Sequence, residues 1–353
     1  MSNSLVSSQK LAEKIRFSGD QLRPVLDNNS ITNKTFKNHF YQNGLQITRE
    51  VTPHLHLSLS RVCSRLRIPM SCLEAFVYAS PELQAECYSS RVTDCTLRFT
   101  SALIDLLDND EFDFVIGHEL GHFLLHHSMT RKENNEEDLE YYIQQRAQEI
   151  SADRLGLIAC KSLDVAISAL IKIISGLSTH HLRLDVGTFI SQLKKSESQN
   201  HIFATHPSVI VRSRALLWFS LGKTFRSSIY LERSHDLDKL DSRIIQDLDK
   251  YVDGEAKAKI NEARRDLYMW MAAHKMAKDG RFDRIEQRTF IDLFGEEILK
   301  KLLTFLNGIS DSEILNSINE KMIISRIELE KLIPSSFENE VNKIENNLNY
   351  KFN

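Results

Sequence analysis

The segment His118-Glu119-Leu120-Gly121-His122 holds the residues of this chain whose types and spacing best suit chemistry. Histidines four residues apart on a helix stand on one face, about one turn apart, where a single ion can bind both imidazoles. Glu119 lies beside the first of them and points next to the ion, toward a bound water rather than at the metal. Zinc lowers the pKa of such a water toward about 7, and an adjacent carboxylate can take its proton. The spacing therefore predicts Zn2+ held by His118 and His122, with Glu119 as general base.

The flanks place this motif on a buried helix, because Phe112, Val115, Ile116, Phe123, Leu124 and Leu125 make it apolar around much of its circumference. Gly117 and Gly121 each cost about 1 kcal/mol in a helix interior relative to alanine. Two such costs within the motif predict close approach by another element. A catalytic zinc also needs a third protein ligand and an open position. The next predicted helix offers Glu149, with Asp153 four residues later on the same face. Glu149 would ligate, and Asp153 would accept a hydrogen bond from the free ring N–H of a zinc histidine. By spacing alone, the two read equally well as solvent-facing charges. The neighbours Ile150, Ala152, Leu155 and Leu157 argue that part of this helix packs inward.

Other histidines offer less. Leu125 and Ser128 stand where a metzincin has glycine and histidine, which excludes that class. His126 reads as polar packing or rim rather than as a ligand. The pairs His54/His56 and His180/His181 have no accompanying carboxylate pattern and read as structural or exposed.

The elements that must position these groups are mostly helical. In 353 residues there are only 12 glycines and 6 prolines, and most of the chain has a period near 3.6. A polar stretch runs to about residue 37, with a loop near residues 27–30, and a helical pattern covers about 39–66. Three short aromatic or β-branched runs follow, Ala75-Phe76-Val77-Tyr78-Ala79, Glu86-Cys87-Tyr88-Ser89 and Thr96-Leu97-Arg98-Phe99-Thr100, and read as a small antiparallel sheet. Helices are then expected at about 110–128, opened by Asp110 with Asp113 close to a capping box, and at 139–160 and 164–176. A further one, through 217, has Pro207 in its first turn. Residues 130–137 and 191–200 read as loops. Beyond about 223 the chain is charged and helical with no sheet signal.

The length suits about two domains of roughly 100–200 residues each, and 42% hydrophobic with 26% charged residues is a globular balance. The expected division is an N-terminal segment 1–37, a zinc metallopeptidase domain 38–223 and a helical C-terminal domain 224–353 for regulation or interaction with a protein partner. A net charge of −3 gives no reason to expect nucleic acid. Five cysteines, none in a C-x-x-C pair, fit a reducing compartment. Residues 1–20 lack the apolar core of a signal peptide. The longest apolar run, 165–177, is broken by Ser168, Lys172 and Ser175 and falls short of the roughly 20 residues that span a bilayer. A soluble, cytoplasmic protein is expected.

Four motifs in order resemble the gluzincin peptidases of the HtpX and CAAX-prenyl-protease family (Ste24-like, peptidase M48). These are Thr96 to Leu103 with Asp108-Asn109-Asp110-Glu111-Phe112, the His118–His122 motif, Glu149-Ile150-Ser151-Ala152-Asp153, and Thr205-His206-Pro207 with Arg212 following. The resemblance covers roughly residues 40–220. It implies an α+β, predominantly helical zincin fold with Glu149 as third ligand and Asp153 as its neighbour. It also implies His206 near the active site, where it could stabilise a tetrahedral oxyanion, and Arg212 as a structural ion-pair partner. It implies a strand bordering the cleft, around residues 98–101, to which substrate adds as a further strand. Many members carry transmembrane helices, which this chain lacks. The reaction implied is zinc-dependent endopeptidase hydrolysis of a protein or peptide.

Two other readings are open. One is a regulatory protease of the ImmA/IrrE type acting on a repressor, which the Ala152-Asp153-Arg154 and His206-Pro207 elements disfavour. The other is a zinc-stabilised sensor or binding module with latent activity, which the presence of Glu119 disfavours. Met276 to Glu286 is weakly similar to the tellurite-resistance TerB-like helical domains, although a turn at Asp279-Gly280 and a helix cap at Asp283 with Glu286 account for it.

Overall fold

The computed structural model describes residues 3–21, 38–127, 138–192, 202–226, 235–277 and 283–352. It is about 73% helical with one small four-stranded sheet, the α+β, predominantly helical fold expected. Two compact units are present, residues 1–133 with 144–252, and residues 134–143 with 253–353.

The first unit contains α1 (Asn3–Ile15), α2 (Pro53–Leu66) and a sheet of β1 (Leu45–Gln46), β2 (Leu73–Tyr78), β3 (Ala85–Arg91) and β4 (Asp94–Thr100). The strand order is β1-β2-β4-β3. The sheet is mixed rather than antiparallel, because β2 and β4 run parallel, with Leu73 opposite Cys95 and Tyr78 opposite Thr100. The alternation of apolar residues identifies a strand's faces but not its neighbours. Here the chain leaves β2, passes to the far side and returns through the β3–β4 hairpin, so β4 comes to lie in the middle. Its Cys95, Leu97 and Phe99 are buried beneath the helices. The expected helix over 39–66 is broken by β1 and by the turn before Pro53.

The short α3 (Ser101–Leu106) leads into α4 (Asn109–Leu124), the motif helix. Its cap is Asp108, with Glu111 closing the capping box, two residues earlier than expected. Asp113 is unavailable for capping because it is fully buried against Arg61 (2.5 Å) and Arg65 (3.0 Å) of α2. Glu111 has a second role: its carboxylate accepts from Lys172 Nζ at 2.5 Å and Ser168 Oγ at 2.6 Å, tying α6 (Leu163–Ser175) to the start of α4. Against α4 lies α5 (Leu139–Cys160). After α7 (Val186–Ser191), α8 (Val209–Leu221) is capped by Ser208, so Pro207 precedes the helix instead of lying in its first turn.

The first unit reaches past both ends of the expected domain 38–223. Leu5, Ala12 and Ile15 of α1 belong to its main core. After α9 (Lys223–Arg226), α10 (His235–Leu248) packs Ile244 and Leu248 on Ala147, Ile150, Val211 and Ala215. A buried ion pair joins Asp241 to Arg154, whose guanidinium also stacks on Phe17 and Phe219. The change of texture near residue 223 therefore marks no change of core.

Among its described residues the second unit holds no strand: besides the start of α5 it contains α11 (Gly254–Met276), α12 (Arg284–Phe294), α13 (Glu296–Leu306), α14 (Asp311–Leu332) and α15 (Phe337–Lys351). Asp283 and Glu286 form the expected capping box at α12. The expected loops at 27–30 and 130–137, most of that at 191–200 and the Asp279-Gly280 turn lie outside the described residues.

Candidate metal centre

α4 and α5 touch backbone to backbone, and glycine permits it. A Cβ on Gly117 would stand 2.4 Å from Ala159 Cβ, one on Gly121 3.0 Å from Ala152 Cα, and one on Gly156 2.8 Å from the Phe114 ring. This is the close approach the two motif glycines predict. It brings Glu149 of α5 opposite His118 and His122 of α4.

His118 Nε2 and His122 Nε2 are 3.1 Å apart. Glu149 Oε2 lies 3.5 Å from the first and Glu149 Oε1 lies 3.4 Å from the second. One ligand atom from each of the three residues falls within 4.8 Å of the others, and all three are buried or nearly so. Asp153, one turn beyond Glu149, places Oδ1 3.0 Å from His118 Nδ1. Arg212 of α8 grips the same carboxylate with two bonds, Nη2 to Oδ1 at 2.6 Å and Nε to Oδ2 at 2.8 Å. Burial would raise Asp153, but Arg212 more than offsets it and holds the acid below its usual range. An ionised Asp153 only accepts, so His118 carries its proton on Nδ1 and turns its Nε2 lone pair into the cluster.

The cluster fits a cation. Glu149 Oε2 is buried and makes no hydrogen bond. Burial would raise Glu149, yet contacts from His118 and His122 keep it well below the carboxylate range. Burial would likewise lower His118, yet the Asp153 and Glu149 carboxylates push it up to about 10, which shows how strongly this pocket favours a positive charge. Two imidazole nitrogens and one carboxylate oxygen form a donor set that zinc accepts, leaving a fourth position for a water or substrate.

Glu119 lies beside this set, with its carboxyl raised by burial against the opposing charges of His118 and His122. A cleft of about 210 Å³ opens over the cluster, bordered by Ala85 and Cys87 of β3 and by Gln145 and Gln148 of α5. His206 stands at its rim, with Nε2 3.4 Å from Glu149 Oε1 and its side chain 61% exposed. An apolar recess of about 160 Å³ adjoins it, lined by Leu83, Leu103, Val115, Leu170, Ile173 and Val209. The strand at the cleft is β3, not the stretch at 98–101, because β4 is flanked by β2 and β3 and has no free edge.

Of the seven residues singled out from the sequence, His118, Glu119, His122, Glu149 and His206 line one cleft, and Asp153 and Arg212 stand behind His118. Two more belong beside them. His127 Nδ1 lies 2.8 Å from His122 Nδ1, and His127 Nε2 lies 3.2 Å from Asp20 Oδ2. Five residues is not a helical spacing, and α4 has ended by Leu125, so periodicity gives no sign of His127. His126 turns the other way at φ 58°, toward Gln9 of α1.

A helix-borne histidine pair faces a glutamate from the following helix, and a further carboxylate, Glu119, lines the same cleft; this donor set suits a metallopeptidase centre. Residues 50–137 and 140–218 match the model of peptidase family M48, and this match, over a little under half of the chain, supports the M48 metallopeptidase family. No curated protein and no solved structure matches the chain.

Proposed function

We propose that the first unit is a zinc-dependent endopeptidase that hydrolyses peptide bonds of a protein or peptide substrate. Its ligands are His118, His122 and Glu149. The observation that carries this is the convergence of those three donors with the Glu119 carboxyl in one cleft. Zinc, when bound, supplies a Lewis acid that activates water and polarises the substrate carbonyl. Glu119 takes the proton of the attacking water and returns it to the leaving amine; burial, by raising its pKa, suits it to both transfers. Asp153, clamped by Arg212, fixes the His118 tautomer. His206, at the open rim, is placed to hydrogen-bond the developing oxyanion. No described helix is long and apolar enough to cross a membrane. With free cysteines throughout, we assign the protein to the reducing cytoplasm. The helical C-terminal portion is assigned to regulation or to binding a protein partner.

The test is Glu119→Gln. The variant keeps stoichiometric zinc and loses hydrolysis of an unfolded protein substrate that the wild type cuts. Wild-type activity in this variant removes Glu119 from the mechanism.

A further inference from the structure

His118 and His122 are held from behind in different ways. His118 meets a carboxylate directly. His122 meets another imidazole, and only beyond it a carboxylate: His127 at 2.8 Å, then Asp20 at 3.2 Å. Both residues are nearly inaccessible, Asp20 at 1% and His127 at 6%. The other oxygen of Asp20 accepts from Gln144 Nε2 of α5 at 2.9 Å.

The protons in this chain can be placed. Asp20, as a carboxylate, only accepts, so His127 carries its proton on Nε2 and donates it to Asp20. A neutral His127 then has a bare Nδ1. At 2.8 Å that nitrogen accepts the Nδ1–H of His122, leaving the His122 Nε2 lone pair directed at His118 and Glu149. One anion at the far end thus sets both tautomers. The segment bearing it is pinned. Phe17 N donates to Ser151 Oγ at 3.1 Å, Ser18 N to Asp241 Oδ2 at 2.9 Å, and Asp20 N closes a turn on Phe17 O at 3.0 Å. Asp20 lies outside the span that matches the peptidase family.

We infer that Asp20 and His127 form an imidazole–carboxylate relay that positions His122, fixing its tautomer and ring plane, so that the segment following α1 is part of the metal site. The inference rests on His122 being a ligand. Outer partners of metal histidines change affinity by about 10–100-fold when removed.

Two substitutions at His127 separate this relay from a plain structural clip. In His127→Asn the amide oxygen stands where ring Nδ1 stood and still accepts from His122, but the side chain is too short to reach Asp20. In His127→Gln the amide NH2 stands near the position of Nε2 and still donates to Asp20, but offers His122 no acceptor. Full-length wild type and variants are compared by zinc competition against a chromophoric chelator and by the visible absorption of the Co2+-loaded proteins. Folding is checked by circular dichroism and gel filtration. The relay predicts a zinc affinity about 10–100-fold weaker and an altered Co2+ band for His127→Gln, with His127→Asn within a few-fold of wild type. The reverse order shows that His127 only clips the N-terminal segment, and equal affinities show no role; either overturns the inference. If both variants misfold, Asp20→Asn, which keeps shape and removes the charge, decides: unchanged affinity overturns the relay. A wild type that binds no zinc at micromolar concentration fails at the earlier step, the assignment of His122 as a ligand.

Discussion

Replacing Gly117 with alanine adds one methyl group at the tightest point between α4 and α5. Helix propensity alone favours the change by about 1 kcal/mol. The packing opposes it. The new Cβ would lie 2.4 Å from Ala159 Cβ and 3.0 Å from both Gly156 Cα and Leu155 O. None of these atoms can rotate away, since each is backbone or fixed directly to it. Carbon atoms rest about 3.5–4.0 Å apart, so the helices must part by about an ångström. Overpacking of this kind costs about 1–3 kcal/mol, and the rigidity of the contact puts Gly117→Ala at the upper end, for a net loss of about 1–2 kcal/mol. The metal site suffers more. His118 adjoins Gly117 on α4, while its partners Glu149 and Asp153 ride on α5 at 3.5 and 3.0 Å. A shift of about an ångström exceeds the roughly 0.2 Å tolerance of metal–ligand distances. The assay is thermal unfolding with and without chelator, together with zinc competition. Gly187→Ala serves as control, because its added Cβ would meet only Asp185 Oδ1 at 3.4 Å. The control should gain stability, and Gly117→Ala should lose both stability and more than tenfold in zinc affinity. A Gly117→Ala protein as stable as wild type, with unchanged zinc affinity, refutes the view that this contact sets the site.

Asp153→Asn should weaken zinc binding about 10–100-fold with little change in circular dichroism, because it removes the charge that orients His118; chelator competition measures it. Metal removal should leave the helical spectrum intact and lower the melting temperature, since the α4–α5 contact is made by apolar side chains and glycines; collapse of the spectrum would favour the zinc-stabilised module instead. Alkaline pH should destabilise the fold through buried thiols. Burial pushes Cys63 up to about 12 and Cys160 up to about 11. Their folded values exceed the unfolded value near 8.5, so this stability is complete below about pH 8.5 and is lost as pH rises toward 11–12. Urea midpoints at stepped pH should fall over that window, and native Cys63 should resist alkylation at pH 8; rapid labelling there would contradict its burial.

What the sequence shows of this site follows the range of the interactions. His118, Glu119 and His122 are singled out by spacing within one helical turn. For Glu149 and Asp153 the same spacing one helix later leaves solvent-facing charges equally open, and the resemblance of the Glu149–Asp153 motif to the peptidase family is what favours them. The strand runs were likewise readable, but not that β4 lies between β2 and β3, because pairing order depends on contacts distant in sequence. Asp20 and His127 are hidden for the same reason: 107 residues separate them, and neither lies in a periodic pattern. Gly117 and Gly121 are the instructive case. Each breaks a local rule by weakening the helix that carries the ligands, and the break is meaningful only if something outside the helix needs the space. The structure supplies it in Ala152, Leu155, Gly156 and Ala159 of the facing helix. A local preference overridden at the residues that also carry chemistry is therefore a pointer to a long-range contact, and here the contact is with the helix that bears Glu149.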